Sequence, residues 1–469
     1  MSFTTNLFFL FIGIFFWLWS RFPSKRYPIT LGASLIFYGS WNPYYVPLLL
    51  LSSAIAFIAS HRIHDAWEKA RPTAARRWLI FGVGADLAIL CYFKYSTFLL
   101  SVSSDLAATS GFPFNAPEWK VLLPVGVSFY TFQSISHTVD VYRKVLVPTR
   151  SFPKFLLFES YFPHLVAGPI QQANFLMPQV ESFCENRLPT SQSQILDGLD
   201  LILRGYVKKL LVADVLATYV NSVFGDLGSY RLLVQVLATA FFAIQIYCDF
   251  SGYTDIARGL AKTMGFEFSL NFNYPYFSES ITEFWRRWHI SLSSWLRQYL
   301  YIPLGGNRGS RGLMYRNLLI TMVLGGLWHG ANYTFVLWGA YQGTLLVLHK
   351  EWSNRSPIRL PRFLGWVITS IFILFGWFIF RIDHVSSIAA LARAFVHPRS
   401  GTWAFPSFQQ WFTAIAFCMI QVTERFYLAK RLSVFWLSPA VRFAVVLLLV
   451  AILFLFSPAQ EQAFIYFQF

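Results

Sequence analysis

Residues 318–348, LLITMVLGGLWHGANYTFVLWGAYQGTLLVL, are apolar almost throughout, and inside them lies His329, set between Trp328 and Gly330. As one helix these roughly 30 residues would rise about 45 Å, against a bilayer hydrocarbon core of about 30 Å, so the run is too long for a single straight span. Gly325, Gly326 and Gly330 bracket the histidine and predict a helix break or a close approach of a neighbouring helix at that point. Irregular backbone at membrane depth is tolerated only where protein or a water-filled cavity receives the freed polar groups, so a cavity holding His329 is expected. An imidazole is expensive there and is retained for chemistry; a hydrogen bond to a neighbouring helix is the bland alternative.

Composition agrees with a membrane chain. Hydrophobic residues make up 55% of the 469, aromatics 19% and charged residues only 13%, and the mean hydropathy is +0.47. These values place the protein in the polytopic, all-α membrane class. The formal net charge of +16 does not point to nucleic acid, because the lysines and arginines fall in short loops between apolar runs, as orientation signals do. Residues 1–6 carry no basic cluster ahead of the first apolar run, and Arg21, Lys25 and Arg26 follow it. A first span with an external amino end is expected, rather than a cleaved signal peptide. Cys91, Cys184, Cys248 and Cys418 are scattered without metal-type spacing and read as packing residues.

Apolar runs at residues 7–19, 29–41, 45–59, 78–100 and 122–136 are candidate spans, and their loops alternate. The loop around Lys25, residues 61–77, and Arg143 to Lys154 are basic and should face the cytoplasm, whereas residues 42–44 and 103–117 are nearly uncharged. Pro163 and Pro169 flank His164 in a stretch that suits a broken or re-entrant helix, with His164 structural or cavity-lining. Further runs at 195–220 and 232–250 follow, the second ending at Asp249, Ser251, Tyr253 and Asp255; both carboxylates read as structural, with cation binding as the alternative. Spans near 363–380, 411–422 and 441–456 complete one multi-span domain over residues 1–469.

Between residues 279 and 301 the helical period puts Trp288, Leu292, Trp295 and Tyr299 on one face and Arg286, His289, Ser293 and Arg297 on the other, predicting a continuous amphipathic helix at the membrane interface. Arg308, Arg311 and Arg316 follow in a glycine-rich loop. Guanidinium forks match phosphate oxygens, so these arginines form a dock for a phosphate-rich cytosolic ligand; orientation by positive charge alone is the competing reading. His329, in apolar surroundings that disfavour its cation, suits a general base. His289 fits proton transfer, orientation of a thioester, or a cap on the edge of the cavity. No HExxH, P-loop or GxSxG pattern occurs, and no metal is expected.

At these residues the chain resembles the membrane-bound O-acyltransferase (MBOAT) family, in its bacterial branch that acetylates exopolysaccharides such as alginate. The matching stretches are residues 161–169, 249–255, Asn271-Phe272-Asn273-Tyr274-Pro275-Tyr276, the block from Ile281 to Ser293 with Trp285-Arg286-Arg287-Trp288-His289, and Gly325 to Asn332. The resemblance implies a helical fold with a transmembrane tunnel, His329 as the essential histidine and His289 as the second. It also implies acetyl-CoA as cytoplasmic donor, met by Arg286, Arg297 and Arg308 with Trp285 and Trp288. The acetyl group would pass across the bacterial inner membrane to periplasmic partner proteins that modify an exopolysaccharide, cellulose slightly ahead of alginate. A D-alanyl transferase of the teichoic acid type, a passive polysaccharide or acyl exporter and a non-catalytic scaffold are the rival readings.

Overall fold

The apolar runs fold as helices, since a chain without water around it must satisfy its backbone within each segment. The computed structural model describes residues 1–111, 121–166, 168–358, 360–423, 425, 447–448, 462, 464 and 465. Among these the architecture is all-helical, apart from an isolated bridge between Tyr230 and Thr402. Four helical segments among the described residues are long and apolar enough to cross a membrane, five if a bent pair counts as one span. Residues 112–117 of the uncharged loop with 118–120 after it, and the 441–456 run apart from residues 447–448, lie outside the described residues.

Contacts divide the chain into two compact units, residues 1–191 with 264–269, and residues 192–263 with 270–469. The first unit contains α1 (Asn6–Arg21), α2 (Arg26–Gly39), α3 (Val46–Glu68), α4 (Pro72–Leu90), α5 (Ser96–Thr109), α6 (Val127–Tyr142), α7 (Phe152–Ser160), α8 (Phe162–Leu165) and α9 (Ala173–Cys184). The bent pair is α1 and the segment Pro23–Gly39 that contains α2, bent by 115° between them. Prolines at the first turns of α7 and α8 divide this interval as the sequence predicts, because the pyrrolidine ring fits only where no intrahelical N–H is needed. His164 is fully enclosed and ties this bend together, its Nε2 3.0 Å from the Phe158 carbonyl. Buried polar side chains answer one another: Ser52 donates to Asp86 at 2.8 Å, Ser60 lies 3.0 Å from His137, and Ser134 donates to Glu159.

The second unit contains α10 (Gln192–Tyr206), α11 (Asp214–Phe224), α12 (Leu232–Thr263), α13 (Ile281–Arg287), α14 (Ile290–Leu296), α15 (Arg311–His329), α16 (Tyr333–Arg355), α17 (Arg362–Arg381), α18 (Ser387–Val396) and α19 (Phe408–Thr423). Helices α10 and α12 cross backbone to backbone. A Cβ on Gly198 would meet the Gly259 carbonyl at 2.7 Å, and one on Gly205 the Gly252 carbonyl at 2.6 Å. Small residues at such crossings let helices associate by close packing where no hydrophobic drive separates helix from lipid.

Three expectations need correction. Helix α12 does not stop near Phe250 but runs on to Thr263, so Asp249 and Asp255 sit inside a helix rather than at its end. Their carboxylates are compensated there by lysines, which makes a polar stretch compatible with continued helix. Secondly, residues 279–301 do not form one amphipathic helix; the segment breaks at His289, whose φ is +43°. Thirdly, only Cys248 of the cysteines is buried; Cys91 and Cys418 are exposed on the helical surface, where an apolar thiol is compatible with lipid.

Candidate active site

The site is built on two breaks in the second unit. The first ends α15 at His329. Gly330 has an extended backbone, and Asn332 then caps α16, its side chain accepting from the Thr334 N–H at 3.3 Å. The glycines matter because α15 and α16 fold back on each other: a Cβ on Gly326 would lie 2.2 Å from the Phe335 carbonyl, and one on Gly339 2.4 Å from that of Met322. The long apolar run is therefore two helices hinged at Gly330, Ala331 and Asn332, as its length requires.

The second break lies between α13 and α14. Ser280 caps α13 by accepting from the Glu283 N–H at 3.3 Å, and Glu283 in turn holds Arg287 at 2.7 Å. The helix stops after Arg287, and His289 takes a left-handed backbone that β-carbon sterics disfavour. Such a conformation persists only when its surroundings over-determine it. Here the segment 271–273 does so: the Asn273 N–H donates to the Arg287 carbonyl and the Ile290 N–H to the Asn271 carbonyl, both at 2.9 Å.

The two breaks bring His289 and His329 together, with ring centroids 6.4 Å apart. His289 is 0% exposed and His329 6%. Around His329 stand Trp328, Trp338 and Phe380, with centroids 5.2, 5.3 and 5.4 Å away. Phe250 meets His289 edge-on at 4.6 Å, with Trp328 at 6.0 Å. These walls form an aromatic cage around the two buried imidazoles.

Asn271 fixes how His289 carries its proton. The backbone N–H of Ser291, which can only donate, points at the Asn271 side-chain oxygen at 3.2 Å, and the Ser291 hydroxyl donates to the same atom at 2.9 Å. His289 Nδ1 lies 3.1 Å from that oxygen and must therefore donate to it. In the neutral ring this leaves the lone pair on Nε2. Asn271 lies in the Asn271-to-Tyr276 stretch, and a separation of 18 residues from His289 carries no helical or strand spacing that would pair the two.

The remaining site candidates separate into two groups. Trp288 is buried behind His289 against Phe272 at 5.0 Å and Trp377 at 4.7 Å, and Trp285 packs on Trp338 at 5.7 Å while its indole donates to Gln342 at 3.3 Å. Both belong to the aromatic cage. Arg286, Arg297 and Arg308 are exposed whereas His289 is buried, and the left-handed backbone at residue 289 interrupts the helical register that would have placed them on one face. Arg308 follows Gly305 and Gly306, whose φ values of +112° and +55° give the loop its turn. Asn317 of α15 donates to the Gly306 carbonyl at 3.2 Å and holds that loop in place.

Two clefts border this framework. One of about 1300 Å³ lies at the end of α16 remote from His329, lined by Ser280, His349, Trp352, Arg355 and Arg362. The other, about 850 Å³, is lined by Lys208, Tyr247, Asp255, Phe272, Phe412 and Phe417. Its wall reaches the cage, since Phe272 stacks on His289 at 6.5 Å. Among the described residues no group of three or more His, Cys, Asp or Glu side chains could hold a metal ion.

The framework is that of a helical membrane protein with two buried histidines at helix breaks, and sequence comparison gives its class. The family model of the membrane-bound O-acyltransferases matches residues 92–389, and the chain belongs to that family as a multi-pass integral membrane O-acyltransferase. Within it, the chain is 41% identical over 407 residues to the probable alginate O-acetylase AlgI of Pseudomonas aeruginosa, covering 86% of this chain and 76% of that protein. It is 34% identical to the peptidoglycan O-acetyltransferase of Helicobacter pylori, over 78% of this chain and 72% of the relative. The teichoic acid D-alanyltransferase of Bacillus subtilis is more distant, at 24% over 56% of this chain and 70% of the relative.

Proposed function

We propose that the protein is an inner-membrane O-acetyltransferase, its amino terminus periplasmic, that takes acetyl from cytoplasmic acetyl-CoA and passes it to a periplasmic partner for O-acetylation of an exopolysaccharide. The observation that carries the reading is the pairing of His289 with His329 in a closed aromatic cage. Neutral His329 removes the proton of the acceptor hydroxyl as its oxygen attacks the thioester carbonyl. The new C–O bond forms, the C–S bond breaks, and the leaving thiolate takes the proton back from His329, so that CoA leaves as its thiol. His289, with its lone pair on Nε2, accepts a hydrogen bond and orients the attacking group; in this tautomer it cannot donate from Nε2 to the carbonyl.

The names of the relatives favour O-acetyl over D-alanyl transfer, and among polymers they favour alginate over cellulose. The test supplies purified protein with acetyl-CoA labelled in the acetyl group, or with a D-alanyl carrier protein, and follows the label into an acceptor. Release of CoA with acetylation of an alginate oligomer, in the presence of the periplasmic partner, is the expected result. Label reaching only a cellulose oligomer would replace the polymer, transfer of D-alanine alone would replace the reaction, and acetylation that survives loss of both histidines would favour an exporter.

A further inference from the structure

The second unit contains a buried ion cluster that the transfer chemistry does not use. Lys209, in the π-type turn Val207–Ala213 between α10 and α11, is 2% exposed and lies 2.8 Å from both Asp214 and Asp249. An ammonium group has three donors, and the third goes to the backbone carbonyl of Gln462 at 3.0 Å. One cation between two carboxylates leaves an excess negative charge in an apolar interior, which calls for further donors. The backbone N–H of Ile465 supplies one, to the second oxygen of Asp249 at 2.7 Å. The tail residues thus complete the coordination of both partners of the ion pair.

Between these two tethers sits Phe464, itself 2% exposed. Its ring lies 4.7 Å from that of Tyr253 and 6.0 Å from that of Phe250, and Phe250 is the ring that meets His289 edge-on. A third tether reaches the other side of the cage. The Gln462 side chain accepts from Asn221 at 3.3 Å, and Asn221 accepts from Arg381 at 2.9 Å, the residue after the Phe380 that walls His329.

We infer that Gln462, Phe464 and Ile465 form a positioning segment for His289, docked on the Lys209–Asp214–Asp249 cluster and acting through Phe250. The inference rests on the role given above to His289. Charge-assisted hydrogen bonds anchor the segment from both ends, and the aromatic side chain between them presses the ring that fixes the imidazole. The segment touches neither donor nor acceptor in this account, so its effect falls on kcat rather than on donor binding.

The experiment compares Ile465→Pro, which deletes the N–H to Asp249, with Ile465→Ala, which keeps it, and adds Phe464→Ala, all in the full chain. Three quantities are read: the melting temperature, kcat and KM with labelled acetyl-CoA, and the rate at which diethylpyrocarbonate modifies His289, followed by mass spectrometry. Ile465→Pro, which loses a charge-assisted hydrogen bond, and Phe464→Ala, which loses the ring against Phe250, should each lower kcat about tenfold, leave KM unchanged and speed modification of His289. Ile465→Ala, which truncates a buried side chain but keeps the N–H, should melt lower yet keep parental kcat and labelling of His289. Equal kcat and equal labelling of His289 in the proline and alanine variants, or parental kcat and labelling in Phe464→Ala, would overturn the inference. If the parent transfers no acetyl group, the proposed donor fails, and the labelling comparison still decides the role of the tail.

Discussion

His289 Nδ1 and the side-chain oxygen of Asn271, 3.1 Å apart, set the tautomer of one ring of a histidine pair, and that pair is assembled from two helix breaks rather than from one helix face. A single acceptor oxygen takes three donors here, two of them from Ser291. Removing that oxygen in Asn271→Ala leaves His289 Nδ1 and the Ser291 N–H without it, at a cost of about 1–3 kcal/mol for each buried group left unsatisfied. The variant should melt lower and lose kcat by at least about tenfold, whereas Ser291→Ala, which removes only one hydroxyl donor, should change kcat little. Equal kcat in the two variants would show that the tautomer does not matter to transfer.

The two imidazoles act as a unit, so their losses should not add. His329→Ala should lower transfer by about 10²- to 10⁴-fold with the protein still inserted and folded, as expected for loss of a general base. His289→Ala should cost less, and the double variant should be little worse than His329→Ala alone. Single-turnover acetyl transfer, normalised to folded protein, measures all three. Multiplicative losses would assign the histidines to separate steps.

Much of this arrangement was legible from residue order. The length of the 318–348 run against bilayer thickness, with glycines around His329, required a hinge, and the hinge falls at residues 330–332. The prolines around His164 likewise announced a broken segment. Periodicity misled between 279 and 301, because a helical pattern of tryptophans and arginines persists across a residue that folds left-handed; residues 271–273, distant in sequence, hold the break open through their backbone and the Asn271 side chain. Hydropathy also truncated α12. Lys209 lies in another apolar run, and no local pattern pairs it with Asp249 across 40 residues. Contacts of this kind are tertiary, and single-sequence patterns record only what neighbours in the chain impose.

The arginines separate from the histidines in the structure and should separate in kinetics. Arg286, Arg297 and Arg308 are exposed, where ion pairing is weak in water and screened by salt. If they meet the phosphates of the donor, replacing all three with glutamine should raise the apparent Kd for CoA, flatten its dependence on ionic strength and leave single-turnover rates at saturating donor unchanged. Isothermal titration at two salt concentrations checks this. Unaltered affinity with an inverted topology, read by cysteine accessibility, would assign these charges to orientation alone.

Helix contact at the hinge gives a last prediction, because geometry there leaves no room to relax. A methyl group on Gly326 would come within 2.2 Å of the Phe335 carbonyl, a backbone atom that cannot turn aside as a side chain would. Gly326→Ala must therefore push α15 from α16, at a cost of about 1–3 kcal/mol, typical of overpacking in a dense interior. Since His329 sits one turn further along α15 and Trp338 sits on α16, the same displacement widens the cage. Activity should fall further than the lower melting temperature alone explains, measured below the onset of unfolding. Gly84→Ala in α4, where an added Cβ meets nothing within 4 Å, is the control and should be about 0.5–1 kcal/mol more stable than the parent, with parental activity. A Gly326→Ala protein with parental melting and parental rate would mean that the two helices are not held in contact at this point.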